Sequence, residues 1–248
     1  MPAVVKDALG VLLDIEGTTT PMDFVHTTLF NYAKENIGQF LKKNFHRNDI
    51  FKIVDDLSNL RWSDSSFLTE NPTWDESSTD KKLESVTRYC IWLIDRDSKA
   101  FALKDLEGLI WMDGYNRGEL RGNIYDDVPG ALKRWKNSGK KIYIYSSGSV
   151  LSQKLLFSTT VHGDMTKYIE GYFDTSIGKK GNRRSYEAIS EITGIPAHNF
   201  LFLSDTPAEI NAAVSAGFSG MLVDREKGSQ GACRSENTIS DFNELILS

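Results

Sequence analysis

Cysteine is nearly missing from these 248 residues: only Cys90 and Cys233 occur, far apart and in no Cys-x-x-Cys pair. Two such thiols build neither a disulfide framework nor a structural zinc cluster, so a reducing compartment is expected. Histidine is scarce as well, with four residues, no His-Glu-x-x-His and no accompanying Gly-x-Ser-x-Gly elbow. Zincin and serine-hydrolase chemistries are thereby disfavoured. The apolar stretch near the start, Leu9 to Leu13, is too short for a signal-peptide core or a membrane span. Nor is there an excess of positive charge: 29 Lys and Arg stand against 34 Asp and Glu, for a net charge of −5. That balance argues against a dominant polyanion-binding face. The chain is expected in the cytoplasm, with the nucleus as a second compartment, and with neither nucleic acid nor membrane as a partner.

A hydrophobic share of 40% and a charged share of 25% describe a folded globular protein. Three short apolar runs each end in a polar residue: Gly10 to Asp14, Lys141 to Ser146 and Asn199 to Asp205. Their length and their β-branched and aromatic content predict buried strands of a parallel sheet. Helical patterns over Val150–Phe157 and Arg183–Thr193 separate the second run from the third. This alternation predicts an α/β fold with a doubly wound, Rossmann-like parallel sheet.

Asp127 ahead of Pro129 predicts one helix start, and Thr206-Pro207-Ala208-Glu209 reads as a capping box with proline at the first helical position. Gly220–Val223 predicts a further strand, Asp224–Asn237 a surface loop, and Phe242–Leu247 a tail that packs back. From about Met22 to Gly118 the apolar residues recur at three and four, as in Phe24, Leu29, Ala33, Ile37, Phe40 and Leu41. Residues 22–118 are therefore expected to form an inserted helical cap on a core made of 1–21 and 119–248. The polar stretch Ser63–Lys82 is expected to be a loop within that cap.

In open α/β sheets ligands bind beyond the carboxyl ends of the strands, which brings Asp14, Ser146 and Asp205 to one crevice. Glu16 follows Asp14 by two residues. Alone, Asp14-x-Glu16 is also explained as an acidic turn after a strand. With Asp205, three carboxylates repel one another unless a cation sits among them, and Mg²⁺ tolerates two carboxylates with water and a substrate phosphate. Glu209 already has a capping role. Ser146 and Ser147 fit either a turn or a phosphate site, and Ser149 fits a helix N-cap. The run Lys179-Lys180-Gly-Asn-Arg183-Arg184 reads as a solvated charge cluster, a weak nucleic-acid patch, or a source of one lysine for the crevice.

Taken in order, Asp14-Ile-Glu16-Gly-Thr18, Ser146, Lys180 and Asp205 resemble the four motifs of the haloacid dehalogenase-like phosphatases. Asp14 to Pro21 (Asp-Ile-Glu-Gly-Thr-Thr-Thr-Pro), Tyr145-Ser-Ser-Gly-Ser149 and Phe173-Asp-Thr-x-Ile-Gly178 are similar to one branch, the enolase-phosphatase or acireductone synthase family of methionine salvage. The resemblance implies that Asp14, Glu16 and Asp205 bind Mg²⁺ and that Ser146, Ser147 and Lys180 contact substrate. It implies a catalytic pair, Asp14 as nucleophile and Glu16 as general acid and base.

The implied reaction converts 2,3-diketo-5-methylthiopentyl-1-phosphate to an acireductone and phosphate by enolisation and dephosphorylation. The implied partner is thus a small phosphorylated methylthio-sugar derivative, acted on by a monomer. Another small phosphorylated metabolite is the alternative substrate. Two departures from the pattern are Asn182, where relatives often carry Glu, and Arg225-Glu-Lys-Gly228 in place of Arg-Pro-Gly-Asn.

Overall fold

The computed structural model describes residues 3–63, 72–226 and 237–248. Cys233, residues 227–236 of the expected loop and residues 64–71 of the Ser63–Lys82 stretch lie outside the described residues. The chain divides into two compact units, 1–24 with 121–248 and 25–120. The sequence reading placed these breaks at 21/22 and 118/119.

The first unit holds a six-stranded parallel sheet in the order β4-β3-β2-β5-β6-β7. Its strands are β2 (Gly10–Leu13), β3 (Lys141–Tyr145), β4 (Ile169–Phe173), β5 (Phe200–Ser204), β6 (Ser219–Val223) and β7 (Thr238–Ile239). A second, two-stranded sheet pairs β1 (Ala3–Val5) with β8 (Leu245–Leu247), so the tail does pack back. β2 and β5 are buried at every residue, as strands covered on both faces must be. Leu13 is in register with Ile144 of β3 and Leu203 of β5, and this alignment brings three strand ends to one edge.

Side-chain alternation sends Leu12, Tyr143, Tyr145, Phe200 and Phe202 to one face of the sheet. Tyr186 and Ile189 of α7 (Arg183–Thr193) and Ala212 and Ala213 of α8 (Pro207–Ser215) complete that core layer. Phe200 stacks on Phe218 with ring centres 4.8 Å apart, and Tyr186 meets Phe202 edge-on at 5.2 Å. On another flank, Trp135 of α5 (Asp127–Asn137) packs on buried Phe242. Ser149 caps α6 (Val150–Ser158) as its type predicts, accepting from the Ser152 amide.

Among its described residues the regular elements of the second unit are all helical: a π-helical segment through Leu29, then α1 (Phe30–Asn44), α2 (Asn48–Ser63), α3 (Thr79–Asp95) and α4 (Phe101–Asn116). The three-and-four pattern corresponds to α1, whose buried residues are Ala33, Ile37, Phe40 and Leu41. The polar stretch ends earlier than expected. Ser78 accepts from the Lys81 amide and starts α3 at Thr79, so the last residues assigned to a loop are a capped first turn.

Glu107 is buried on α4, and burial raises its carboxyl from an ordinary 4.5 to about 8. A raised acid contributes stability that is fully present below its unfolded value and lost as the pH climbs through its folded one. The thermal midpoint of the parent should therefore fall between about pH 5 and about pH 9, and Glu107→Gln should flatten that fall. Parallel pH curves for parent and variant would contradict this.

Candidate active site

Asp14 closes β2 and is 4% exposed; its amide donates to the Leu203 carbonyl at 3.0 Å, which fixes its backbone against β5. The chain then turns at once. The Thr18, Thr19 and Thr20 amides converge on the Ile15 carbonyl, and Thr19 Oγ1 donates to the Asp14 carbonyl at 3.0 Å. Gly17 takes φ +68, and a Cβ there would lie 2.3 Å from Asp205 Oδ2. Both the backbone angle and the neighbour require glycine.

Lys180 reaches this strand end from the loop before α7. Its Nζ lies 2.6 Å from Asp14 Oδ1 and 2.6 Å from Glu209 Oε2, with the lysine side chain only 11% exposed. Three hydroxyls hold the lysine loop by consecutive carbonyls. Tyr145 Oη donates to Gly178 O at 2.9 Å, Ser185 Oγ to Lys179 O at 2.8 Å and Tyr186 Oη to Lys180 O at 2.7 Å. Asn182 caps α7, its Oδ1 accepting from the Arg184 amide at 3.0 Å, so the departure at this position serves the helix start.

β5 delivers Ser204 and then Asp205. Ser204 Oγ donates to Glu209 Oε2 at 2.9 Å and accepts from the Thr206 amide at 3.1 Å. The capping box expected of Glu209 is therefore not formed, although Pro207 does open α8. Ser204 takes the amide that Glu209 was to reach, and the buried ammonium draws the carboxylate inward. Asp205 donates its amide to Thr18 Oγ1 at 3.0 Å and accepts from Thr206 Oγ1 at 3.0 Å.

Charge in the site is unbalanced. Burial alone would depress the Lys180 ammonium, but the Asp14 and Glu209 carboxylates more than reverse this and raise it. Burial, then the charge of Asp14, raises both Asp205 and Glu209. Three carboxylates thus share one lysine. A cavity of about 360 Å³ beside Asp205 is lined by Gly17, Tyr125, Leu222 and Arg225 among others.

Ser146 and Ser147 follow β3, the strand beside β2. The buried Ser146 donates its amide to Phe173 O at 3.1 Å, and its Oγ accepts from the Gly148 amide at 3.3 Å. Gln153, which the sequence did not single out, holds this turn by donating to Gly148 O at 2.9 Å and Phe173 O at 2.8 Å. Glu16 is half-buried and pairs through its backbone with Thr20, where the loop folds back. Among the described residues no three Asp, Glu, His or Cys side chains form a metal-ligand group. Asp14, Glu16 and Asp205 consequently do not meet as a cluster of three. Mg²⁺ commonly takes only one or two carboxylates, filling its octahedron with water and phosphate. Asp14 and Asp205, near enough for the charge of one to raise the other, and the glycine cradle at Gly17 fit such an ion.

The profile of the haloacid dehalogenase-like hydrolases matches residues 9–217. The chain is 43% identical over 216 residues to an enolase-phosphatase E1 of Drosophila willistoni, covering 87% of this chain and 86% of the relative. The chain belongs to the enolase-phosphatase E1 family of these hydrolases. An enolase-phosphatase E1 of Persephonella marina is 42% identical over 220 residues, covering 89% of this chain and 90% of that one. Among solved structures, the UTR4 protein of Saccharomyces cerevisiae superimposes with a TM-score of 0.73 at 31% identity, over 94% of this chain and 98% of that one. The family and the haloacid dehalogenase-like α/β fold expected from the motifs are thus shown, and with them a phosphatase-type hydrolase. Among the described residues no helix is long and apolar enough to cross a membrane.

Proposed function

We propose that this member of the enolase-phosphatase E1 family is a Mg²⁺-dependent enzyme of methionine salvage. It converts 2,3-diketo-5-methylthiopentyl-1-phosphate to 1,2-dihydroxy-3-keto-5-methylthiopentene and phosphate. The observation that carries the phosphatase chemistry is the Lys180 ammonium bridging Asp14, at the end of β2, and Glu209, in the first turn of α8. A carboxylate held beside a buried cation is poised both to attack phosphorus and to have the incoming phosphate's charge offset.

The substrate first enolises, losing a proton from carbon 1 and gaining one on the carbon-2 oxygen; in the first phosphoryl step an Asp14 carboxylate oxygen then bonds to phosphorus while the bond from phosphorus to the substrate oxygen breaks. Glu16 gives that leaving oxygen a proton. In the second step water attacks phosphorus, its proton passes to Glu16, and the aspartyl–phosphorus bond breaks. Lys180 stays charged throughout and balances the phosphoryl oxygens. Ser146 and Ser147, at the end of the neighbouring strand, are the substrate contacts. Mg²⁺ would be held by the Asp14 and Asp205 carboxylates with the main-chain oxygen of Glu16. When bound it supplies the remaining positive charge that phosphoryl transfer needs. The enzyme works as a cytoplasmic monomer on a small metabolite, without nucleic acid.

Phosphate release from the diketo methylthiopentyl phosphate, beside an aryl phosphate and with a chelator control, tests this reading. Chelator-sensitive turnover of the diketone well above that of the aryl ester is expected. Metal-dependent turnover of the aryl ester alone would contradict the substrate, and turnover untouched by chelator would contradict the metal.

A further inference from the structure

Arg225 lies just past β6, away from the motifs, yet its guanidinium is among the most heavily bonded groups of the first unit. Nε and Nη2 both donate to the Thr18 carbonyl, at 3.0 and 2.6 Å. Nη1 donates to Asp127 Oδ2 at 2.8 Å and to the Ser240 carbonyl at 3.2 Å. The ring of Tyr125 lies 4.2 Å from the guanidinium carbon and that of Phe242 4.6 Å. Asp127 is itself buried and also accepts from the Phe242 amide at 2.6 Å. The side chain of Arg225 is 9% exposed and that of Asp127 5%. Such a charge tolerates burial only with its donors satisfied, so its place is tightly determined.

The target of this grip is informative. Thr18 is fully buried and carries two contacts on one residue: its carbonyl takes Arg225, and its hydroxyl takes the Asp205 amide. The preceding residue, Gly17, forms the wall against which the Asp205 carboxylate lies. Moving the Thr18 main chain would therefore shift both the hydrogen bond that sets the Asp205 backbone and the surface beside its carboxylate.

We propose that Arg225, oriented by Asp127, is a positioning residue that acts through Thr18 to hold Asp205 in its ion-binding geometry. This rests on the reading of Asp205 as a Mg²⁺ ligand. Groups that orient a metal ligand from behind typically change metal affinity or activity 10–100-fold when removed. Lysine cannot replace the two-pronged contact on one carbonyl, so Arg225→Lys keeps the charge and loses the grip. Thr18→Val keeps the volume and removes only the acceptor of the Asp205 amide.

The test is Mg²⁺ affinity of the full chain without substrate, by isothermal calorimetry. It is measured for the parent, Asp205→Asn, Thr18→Val, Arg225→Lys, and Ile189→Val as a core truncation remote from the loop. The expected result is loss of the Mg²⁺ signal in Asp205→Asn, about 10–100-fold weaker binding in Thr18→Val and Arg225→Lys, and parental binding in Ile189→Val. Parental affinity in both Thr18→Val and Arg225→Lys, with Asp205→Asn still unable to bind, overturns the positioning role and leaves the metal reading intact. Equal weakening in Ile189→Val makes the effect one of general stability and overturns it as well. A parent with no Mg²⁺ signal dependent on Asp205 overturns both.

Discussion

Asp14→Asn should lower kcat on the order of 10⁴-fold or more, because an amide oxygen cannot replace a carboxylate as the nucleophile toward phosphorus. The substitution is isosteric. Its Oδ1 can still accept from Lys180 Nζ, now 2.6 Å from Asp14 Oδ1, while its Nδ2 can donate to Ser204 Oγ, now 3.5 Å from Oδ2. The fold should survive, since the backbone of this residue is fixed by its own amide bond to Leu203 O. Phosphate release with a parallel thermal melt checks both statements. Near-parental phosphate release from a folded Asp14→Asn protein would remove Asp14 from the chemistry.

Lys180→Met should cost about 10²–10³ in kcat, the usual size of losing one well-placed charge opposite a reacting anion. It should also lower stability by about 3–5 kcal/mol, because removing one partner of a buried ion pair leaves its partners uncompensated. Here the stranded groups are Asp14 and Glu209, both drawn to the same ammonium. Combining Lys180→Met with Glu209→Gln should recover part of the lost thermal midpoint but none of the lost turnover. That split separates the electrostatic balance of the strand ends from the service Lys180 renders to substrate. A single variant that keeps kcat within about threefold of the parent would contradict the role given to Lys180.

The strand ends were legible because parallel strands covered on both faces must be apolar throughout, so the polar residues at which the runs stop stand out. Asp14, Ser146 and Asp205 were found in this way. Helices α6 and α7 were legible through Ser149 and through apolar periodicity. Glu209 was misread because Thr-x-x-Glu is a local pattern, whereas the lysine that competes for the carboxylate arrives from a distant loop. Tyr145 and Arg225 stood out only as members of family-like segments and Tyr186 not at all, since each acts on a backbone carbonyl, and every residue offers one of those. The pairing of β1 with β8 joins segments of three residues each, too short for periodicity to register.

The arrangement of acids also explains why three carboxylates in one motif set need not form one cluster. Glu16 lies where the loop folds back, bridged to Thr20, while Asp14 faces Lys180.

A covalent bond between Asp14 and phosphorus is the central event of the proposed mechanism. Rapid acid quench of the enzyme during turnover, followed by borohydride reduction and peptide mass spectrometry, reads that bond, because an aspartyl phosphate is reduced to homoserine and a free aspartate is not. Homoserine at position 14, formed only with substrate and lost in Asp14→Asn, is the result predicted. Unmodified aspartate at position 14 under conditions of steady phosphate release would mean that water attacks the substrate directly, and would contradict the nucleophile on which the mechanism is built.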